Sequence, residues 1–393
     1  MKTLSPQFTG YSWAPSTVEI ARLAGIDPIE VVRYDGNVAA APLPSSRPGA
    51  IAGALARINT YAHGGYPELL DAVARYAGVG PENIVLGAGA DDLILLCARA
   101  FAGPGDSVAV ADEPTYPLYR VAAGLAGAVV DASRRPAVTF CCRPNNPSGA
   151  LAPLPEERPL VVDEAYYEYA GETAAGLLDD GVVVLRTFSK AFGLAGARVG
   201  YALAAEPTAK ELNRRQSPLP IAAPSAALAL AALADPPDVR PQLEERERLS
   251  TELRALGFDP RPSSANFVFV PFERPRELAD ALLRQGVVVR TFDDGFRVSV
   301  RDREDDDLLL RALAGDAPAP PTAHVRATAQ ARIYVRLFPG HAGEARVEGV
   351  SPALAERAAG AGFGLVLEAV GEEPARSEEA ARALDEALAE ARR

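Results

Sequence analysis

The chain has 393 residues, 48% hydrophobic and 23% charged, with 40 Lys/Arg against 52 Asp/Glu. That balance supplies apolar side chains for two or three cores and excludes a chain disordered throughout. A net charge of -12 with no basic run interleaved with aromatics excludes nucleic acid as a partner, and no run approaches the ~20 apolar residues of a membrane span.

Residues 1–45 are broken by prolines, with one helical stretch at STVEIARLAG that stops at a glycine. The opening MKTLSPQFTGYSWAPS has no apolar signal core, which points to a cytoplasmic protein. PELLDAVARYAG then reads as an amphipathic helix, and NIVLGAGADDLILLCARAFAG as a short strand, a glycine turn and a helix. Six further strand-like runs follow, SVAVA, AGAVVDA, AVTFCC, PLVVDEAYYEY, VVVLRTF and ARVGYAL, alternating with helical or loop segments. Apolar β-branched runs in that alternation predict an α/β fold with a mostly parallel central sheet. Cys97, Cys141 and Cys142 lie in apolar surroundings without CxxC spacing and are expected as reduced core residues.

After about residue 240 the pattern changes to a long charged helix QLEERERLSTELRALG, a strand NFVFVPF, a helix RELADALLRQG, and strands VVVRTF and FRVSV, a smaller α+β domain. AGDAPAPPTA reads as a semi-extended linker, and a ββαβα module closes the chain. The expected organisation is an N-terminal segment 1–45 that joins the small domain, a large cofactor-binding domain 46–240, a small domain 241–313, a linker 314–323 and a module 324–393.

Only three of the basic residues are lysines: Lys2, Lys190 and Lys210. Arginine serves as well for ion pairs and solvation but cannot lose its proton and condense with a carbonyl, whereas lysine can form a Schiff base. Lys2 lies at the start and Lys210 in the polar helix PTAKELNRRQ, so Lys190, between two apolar runs, is the candidate for covalent chemistry; a plain turn lysine is the alternative. If it carries pyridoxal phosphate, the other groups such a site needs have candidates nearby. The GAGADD turn, residues 87–92, opens a helix after a strand and offers backbone N–H groups to a phosphate, with Thr187, Ser189 and Arg198 as further donors. Asp163 ends a strand where a carboxylate would keep the ring nitrogen protonated. Tyr166 and Asn146, the latter in the RPNNPSG turn, could bond the ring hydroxyl, and Tyr116 in DEPTYPLYR could stack on the ring. Each also has a reading as an ordinary turn, cap or core residue.

Together NNPSG, VVDEAYYEY and TFSKAFGLAGARVGY, in this order and spacing, resemble the fold-type I pyridoxal-phosphate aminotransferases, most closely the histidinol-phosphate aminotransferase group, over about residues 10–313. The resemblance implies Lys190 as Schiff-base lysine and proton shuttle, Asp163 on the ring nitrogen, and Asn146 and Tyr166 on the ring hydroxyl. It implies Ala90, Asp91, Thr187, Ser189 and Arg198 around the phosphate and Tyr116 on the ring. Tyr61 matches a tyrosine lent to a neighbouring subunit's phosphate, which implies a homodimer. Arg297 matches the arginine that holds the substrate α-carboxylate, Arg290 one that meets a substrate phosphate, and Tyr11 an aromatic of the same pocket. The implied reaction is a ping-pong transfer from glutamate to imidazole-acetol phosphate, giving histidinol phosphate.

Two departures stand out. Where that family reads SNENP this chain has GNVAA, keeping only Asn37 on the substrate side, and Ala90 replaces a usual serine. Residues from 324 on resemble half of imidazoleglycerol-phosphate dehydratase, through RATAQARIYVRL, GFGLVLEAVGE and SEEAARALDEAL. With only His63, His324 and His341 in the chain, a metal-free, degenerate module is expected there. A threonine-phosphate decarboxylase or an aromatic amino-acid aminotransferase would share the cofactor motifs. A decayed interaction protein is the alternative from outside enzymes.

Overall fold

The strand runs of the first half are apolar at nearly every position, the pattern of strands covered on both faces, and they assemble accordingly. The structure, a computed structural model, describes residues 16–24, 26–38, 48–56, 58–59, 61, 65–131, 133–283, 285–315, 322–327, 331–339, 342–343, 345–371 and 373–391. Two compact units can be told apart, one within Arg33–Ala279 and Val289–Asp306, the other within Pro15–Val32, Asp280–Val288 and Asp307–Arg393.

The first unit is built on a seven-stranded sheet in the spatial order Ile84–Gly87, Gly200–Leu203, Val182–Thr187, Leu160–Asp163, Val138–Cys142, Ser107–Val110, Val129–Val130. Gly200–Leu203 runs antiparallel to both neighbours, and the other recorded pairings are parallel. Side chains alternate between the faces. Val161, Val183, Leu185, Phe140 and Cys142 pack toward one core with the helices Ala90–Phe101 and Leu118–Ala126, while Val162, Val182, Val184 and Cys141 pack into another with the helices Pro67–Ala77 and Ala223–Ala234. All three cysteines are buried and unbridged. An antiparallel sheet ordered Arg290–Phe292, Gly295–Ser299, Phe267–Pro271 belongs to the same unit. Its Phe267 packs in a cluster with Tyr166, Tyr169 and Ala191.

Two runs depart from the sequence reading. PLVVDEAYYEY is not one strand: Leu160–Asp163 ends at the aspartate, whose carboxylate accepts the Ala165 N–H at 3.1 Å, and Tyr167–Ala170 makes a helical turn stopped by Gly171 at φ 69°. A side-chain-to-backbone bond of this kind offers the chain an alternative to the ladder, and the β preference of the tyrosines does not outweigh it. VVVRTF is likewise two strands, Val287–Val288 and Arg290–Phe292, which enter different sheets.

In the second unit the chain end forms a four-stranded sheet ordered Thr322–Ala327, Ala331–Pro339, Phe363–Gly371, Ala345–Glu348. Ile333, Val335, Leu337, Leu365 and Leu367 bury one face of it against Ala380, Ala383, Leu384 and Ala387 of the helix Ala375–Ala391. Thr322–Ala327 adds a strand ahead of the expected ββαβα order, so regular structure begins inside the stretch read as linker.

Candidate functional site

The carboxyl ends of parallel strands, where an open α/β sheet forms its ligand crevice, deliver the first groups. Cys142, Asp163 and Thr187 are the last residues of three adjacent strands. With Ala90, Asp91, Tyr116, Asn146, Tyr166, Ser189, Lys190 and Arg198 they line a single cavity of about 260 Å³.

One end of the cavity is a cradle for an anion. Gly89 caps the helix Ala90–Phe101 at φ 85°, so the first N–H groups of that helix face the crevice with no capping side chain on them. A Cβ on Gly89 would stand 2.6 Å from Arg198 Nη2, and one on Gly200 would meet the Gly89 carbonyl carbon at 2.8 Å. Both glycines are therefore needed for guanidinium and backbone to converge. Thr187 Oγ1 and Ser189 Oγ are 3.0 Å apart, and Arg198 Nη1 donates to Ser189 Oγ at 3.4 Å. Asp91 balances the cation: it accepts Arg198 Nη2 at 3.0 Å and the Tyr116 hydroxyl at 3.0 Å. Two hydroxyls, an arginine fork and a helix N-terminus form a donor set that fits a phosphate ester.

The other end is built for a protonated ring and an amine. Asp163 is buried, accepts the Tyr119 hydroxyl at 2.7 Å and the Ala165 N–H at 3.1 Å, and is pushed up to about 6 by burial, against those two hydrogen bonds. A buried carboxylate at that height gains from a cation placed beside it. Lys190 Nζ lies 3.2 Å from the Gly36 carbonyl and 5.8 Å from the Tyr166 ring centroid. Burial, and then the positive charge of Arg297, lower it to about 8, so about a tenth of the amine is unprotonated near neutrality, far more than for an ordinary lysine. Burial raises the Tyr166 phenol above its ordinary value, opposed by Arg297. The cavity thus fits pyridoxal phosphate at both ends.

Arg297 is buried beside this group. It donates through Nη1 to Asn146 Oδ1 and through Nη2 to the Asp35 carbonyl at 2.7 Å, and its Nε has no partner among the described residues. Burial lowers it to about 10. Arg290 faces Arg297 in the strand register but is exposed and does not line the cavity. Asn37 does not line it either: it is 1% exposed, with its side chain on Tyr166 and Ser299. Tyr61 is 78% exposed, and Tyr11 lies outside the described residues. The sequence reading missed Tyr119, although its place one helical turn after Tyr116 in TYPLYR could have suggested it. It also missed the backbone of Asp35 and Gly36, for which no side-chain signal exists.

The family model for aminotransferases of class I and II matches residues 33–313. A histidinol-phosphate aminotransferase of Thermoanaerobacter pseudethanolicus is 36% identical over 296 residues, 65% of this chain and 84% of its own length. Another from Methylococcus capsulatus is 38% identical over 302 residues, 64% and 81%. Among solved structures, the histidinol-phosphate aminotransferase of Sinorhizobium meliloti in complex with pyridoxal 5'-phosphate superposes with a TM-score of 0.69 at 26% identity, covering 78% of this chain and 95% of the other.

Proposed function

This chain belongs to the class I and II aminotransferases, and we propose that within them it transfers an amino group from glutamate to imidazole-acetol phosphate, giving histidinol phosphate for histidine biosynthesis. The enzyme is a pyridoxal-phosphate-dependent transaminase. The observation that carries the reading is Lys190: an amine lowered to about 8, in one cavity with a phosphate cradle at one end and a buried carboxylate at the other.

Pyridoxal phosphate supplies the electron sink that makes a substrate Cα–H bond acidic. The chain's own residues do the rest. Thr187, Ser189, Arg198 and the N–H groups at Ala90 and Asp91 hold the phosphate, and Asp163 keeps a proton on the ring nitrogen. Tyr166 and Asn146 take the ring hydroxyl, while Tyr116 covers one ring face. Lys190 would hold the cofactor through Nζ and, as a free amine, would move the proton at Cα. Arg297, already aimed by Asn146 and Asp35, exchanges these neutral acceptors for the α-carboxylate, a stronger, charge-assisted partner. Arg290 and Tyr11 are the residues we assign to the substrate side.

We read the enzyme as a cytoplasmic homodimer in which Tyr61 reaches the neighbouring subunit's phosphate. Leu55, Ile58 and Tyr61, exposed at 54%, 61% and 78%, suit burial against a second copy. No helix of the described residues is long and apolar enough to cross a membrane. The test is half-reaction spectroscopy of the holoenzyme with histidinol phosphate, glutamate, phenylalanine and threonine phosphate in parallel. Histidinol phosphate and glutamate are expected to convert the bound cofactor to its amine form. Conversion by phenylalanine but not by histidinol phosphate would defeat the assignment.

A further inference from the structure

In the segment Asp35–Asn37 three consecutive residues each bond a different residue of the site. Asp35 gives its carbonyl to Arg297 at 2.7 Å, Gly36 gives its carbonyl to Lys190 at 3.2 Å, and Asn37 gives its side-chain amide to Tyr166 at 3.0 Å. The first two contacts use backbone carbonyl oxygens. The third uses a side chain with no access to the cavity, and its placement is held from several directions.

Asn37 has φ 50°, a left-handed conformation that asparagine tolerates better than most residues. Its N–H donates to Ser299 Oγ at 2.8 Å, its carbonyl accepts the Asn266 amide at 3.1 Å, and its Oδ1 lies 3.1 Å from Ser299 Oγ. Ser299 is itself tied to the Tyr34 carbonyl at 2.6 Å. Asn37, Asn266 and Ser299 are all at most 2% exposed. So much polar anchoring in a dry interior costs desolvation unless every group is used, and the one group of Asn37 that points toward the site is Nδ2, on the Tyr166 hydroxyl.

A phenol oxygen can accept and donate at once. An amide N–H on that oxygen fills its acceptor side and leaves its own proton to point elsewhere, and the cavity is the open direction, since Tyr166 lines it. We propose that Asn37 is the positioning residue that aims the Tyr166 hydroxyl proton into the cavity, toward the ring oxygen of the cofactor. The inference rests on the reading above that Tyr166 serves the ring hydroxyl. It assigns Asn37 a role toward the cofactor, where the sequence pattern placed it on the substrate side. It also gives a reason why this asparagine stands in a GNVAA stretch that keeps little else of its family's motif.

The visible absorption of the bound cofactor titrates with the proton held beside its ring oxygen. A hydrogen bond donated to that oxygen makes it a poorer acceptor and lowers the midpoint. The charged and titratable groups facing Tyr166 are Arg297, Cys142, Asp163, Lys190 and Tyr169, and the variants below leave all five in place. Asn37→Gly keeps the left-handed backbone and removes only the amide. In the holoenzyme it is expected to raise the midpoint by about half a pH unit, with Tyr166→Phe raising it by about one. Combining the two should add nothing to Tyr166→Phe alone, because Asn37 acts only through Tyr166.

The sign decides the matter. If the amide instead accepts the Tyr166 proton, removing it frees that proton for the cofactor, and the midpoint falls. A lowered or unchanged midpoint in Asn37→Gly, with Tyr166→Phe raised, overturns the proposal and leaves the cofactor reading standing. No shift in Tyr166→Phe overturns the assignment of Tyr166, and this proposal with it. Should circular dichroism show that Asn37→Gly has lost its fold, Asn37→Asp decides. A carboxylate can only accept and turns the Tyr166 proton away, so the midpoint should rise by about one unit and return to the Tyr166→Phe value in the double variant. A further rise in that double variant would mean that the new charge acts directly, and would overturn the proposal.

Discussion

Asp163 and Glu164 are adjacent, both acidic and both buried, yet they sit in opposite kinds of environment. Asp163 ends its strand on the sheet face that bears the cavity, holds two neutral donors and is raised to about 6. Glu164, 1% exposed, turns to the other face, where it accepts Arg186 Nε at 3.0 Å, the Thr173 hydroxyl at 2.9 Å and the Ala174 N–H at 2.6 Å. The neighbouring strand mirrors the contrast, with Thr187 toward the cavity and Arg186 beneath it, its guanidinium 3.5 Å from the Tyr167 ring centroid. One face leaves Asp163 and Lys190 with neutral hydrogen-bond partners, which is what a ligand site needs. The other face matches charge with charge and serves to hold the two strands in register.

The sharpest way to break this comparison is to remove the reactive group on the open face. Lys190→Ala is expected to lower turnover by ~10⁴-fold or more, since it loses both covalent anchoring and proton transfer. Cofactor-free Lys190→Ala should melt no lower than wild type, because folding no longer has to bury an amine. Single-turnover kinetics and thermal unfolding of the same preparation check both halves. A large drop in melting temperature would show that the open face also carries stability.

The closed face should fail in the opposite way. Arg186→Ala strands the Glu164 carboxylate in the core, for a loss of about 3–5 kcal/mol in unfolding free energy, read by urea denaturation. Replacing both partners with apolar residues of similar volume should recover most of it. The visible titration of bound cofactor in Arg186→Ala protein that remains folded should stay within a few tenths of a pH unit of wild type. A shift as large as that of Tyr166→Phe would mean that the two faces are not separate in function.

How much of this could be read from residues alone follows the same division. The seven strands of the main sheet are visible as apolar runs, and the glycine turn before Ala90 announces the helix that caps the cradle. Lys190 is conspicuous because nearly every other cation is arginine. The contacts between distant segments are not visible: Tyr119 on Asp163, Asp35 on Arg297 and Asn37 on Tyr166 depend on strand order and backbone path. The strand end at Asp163 was legible, but the helical turn Tyr167–Ala170 after it was hidden for a related reason, because a side-chain bond two residues ahead decided it against β-favouring tyrosines. Arg186 could have been suspected as the one charge inside VVVLRTF, though its partner could not.

The smallest expected effect concerns pH and tests whether the open face is electrostatically one unit. Burial and Arg297 together depress Lys190 to about 8. An amine with its folded value below its unfolded one is deprotonated in the native chain while the unfolded chain still holds the proton, so between about pH 8 and the ordinary lysine range this group makes stability rise with pH. The same unprotonated amine is the form that captures a carbonyl. Capture of pyridoxal phosphate by cofactor-free enzyme, followed by stopped-flow absorbance, should therefore quicken about tenfold per pH unit below 8 and level off above it. Arg297→Met removes the larger of the two nearby positive charges that depress the amine, so the break should move upward, by up to about one unit. A break that stays in place would mean that burial and the charges other than Arg297 set the amine, and that Arg297 belongs to the substrate and not to the lysine.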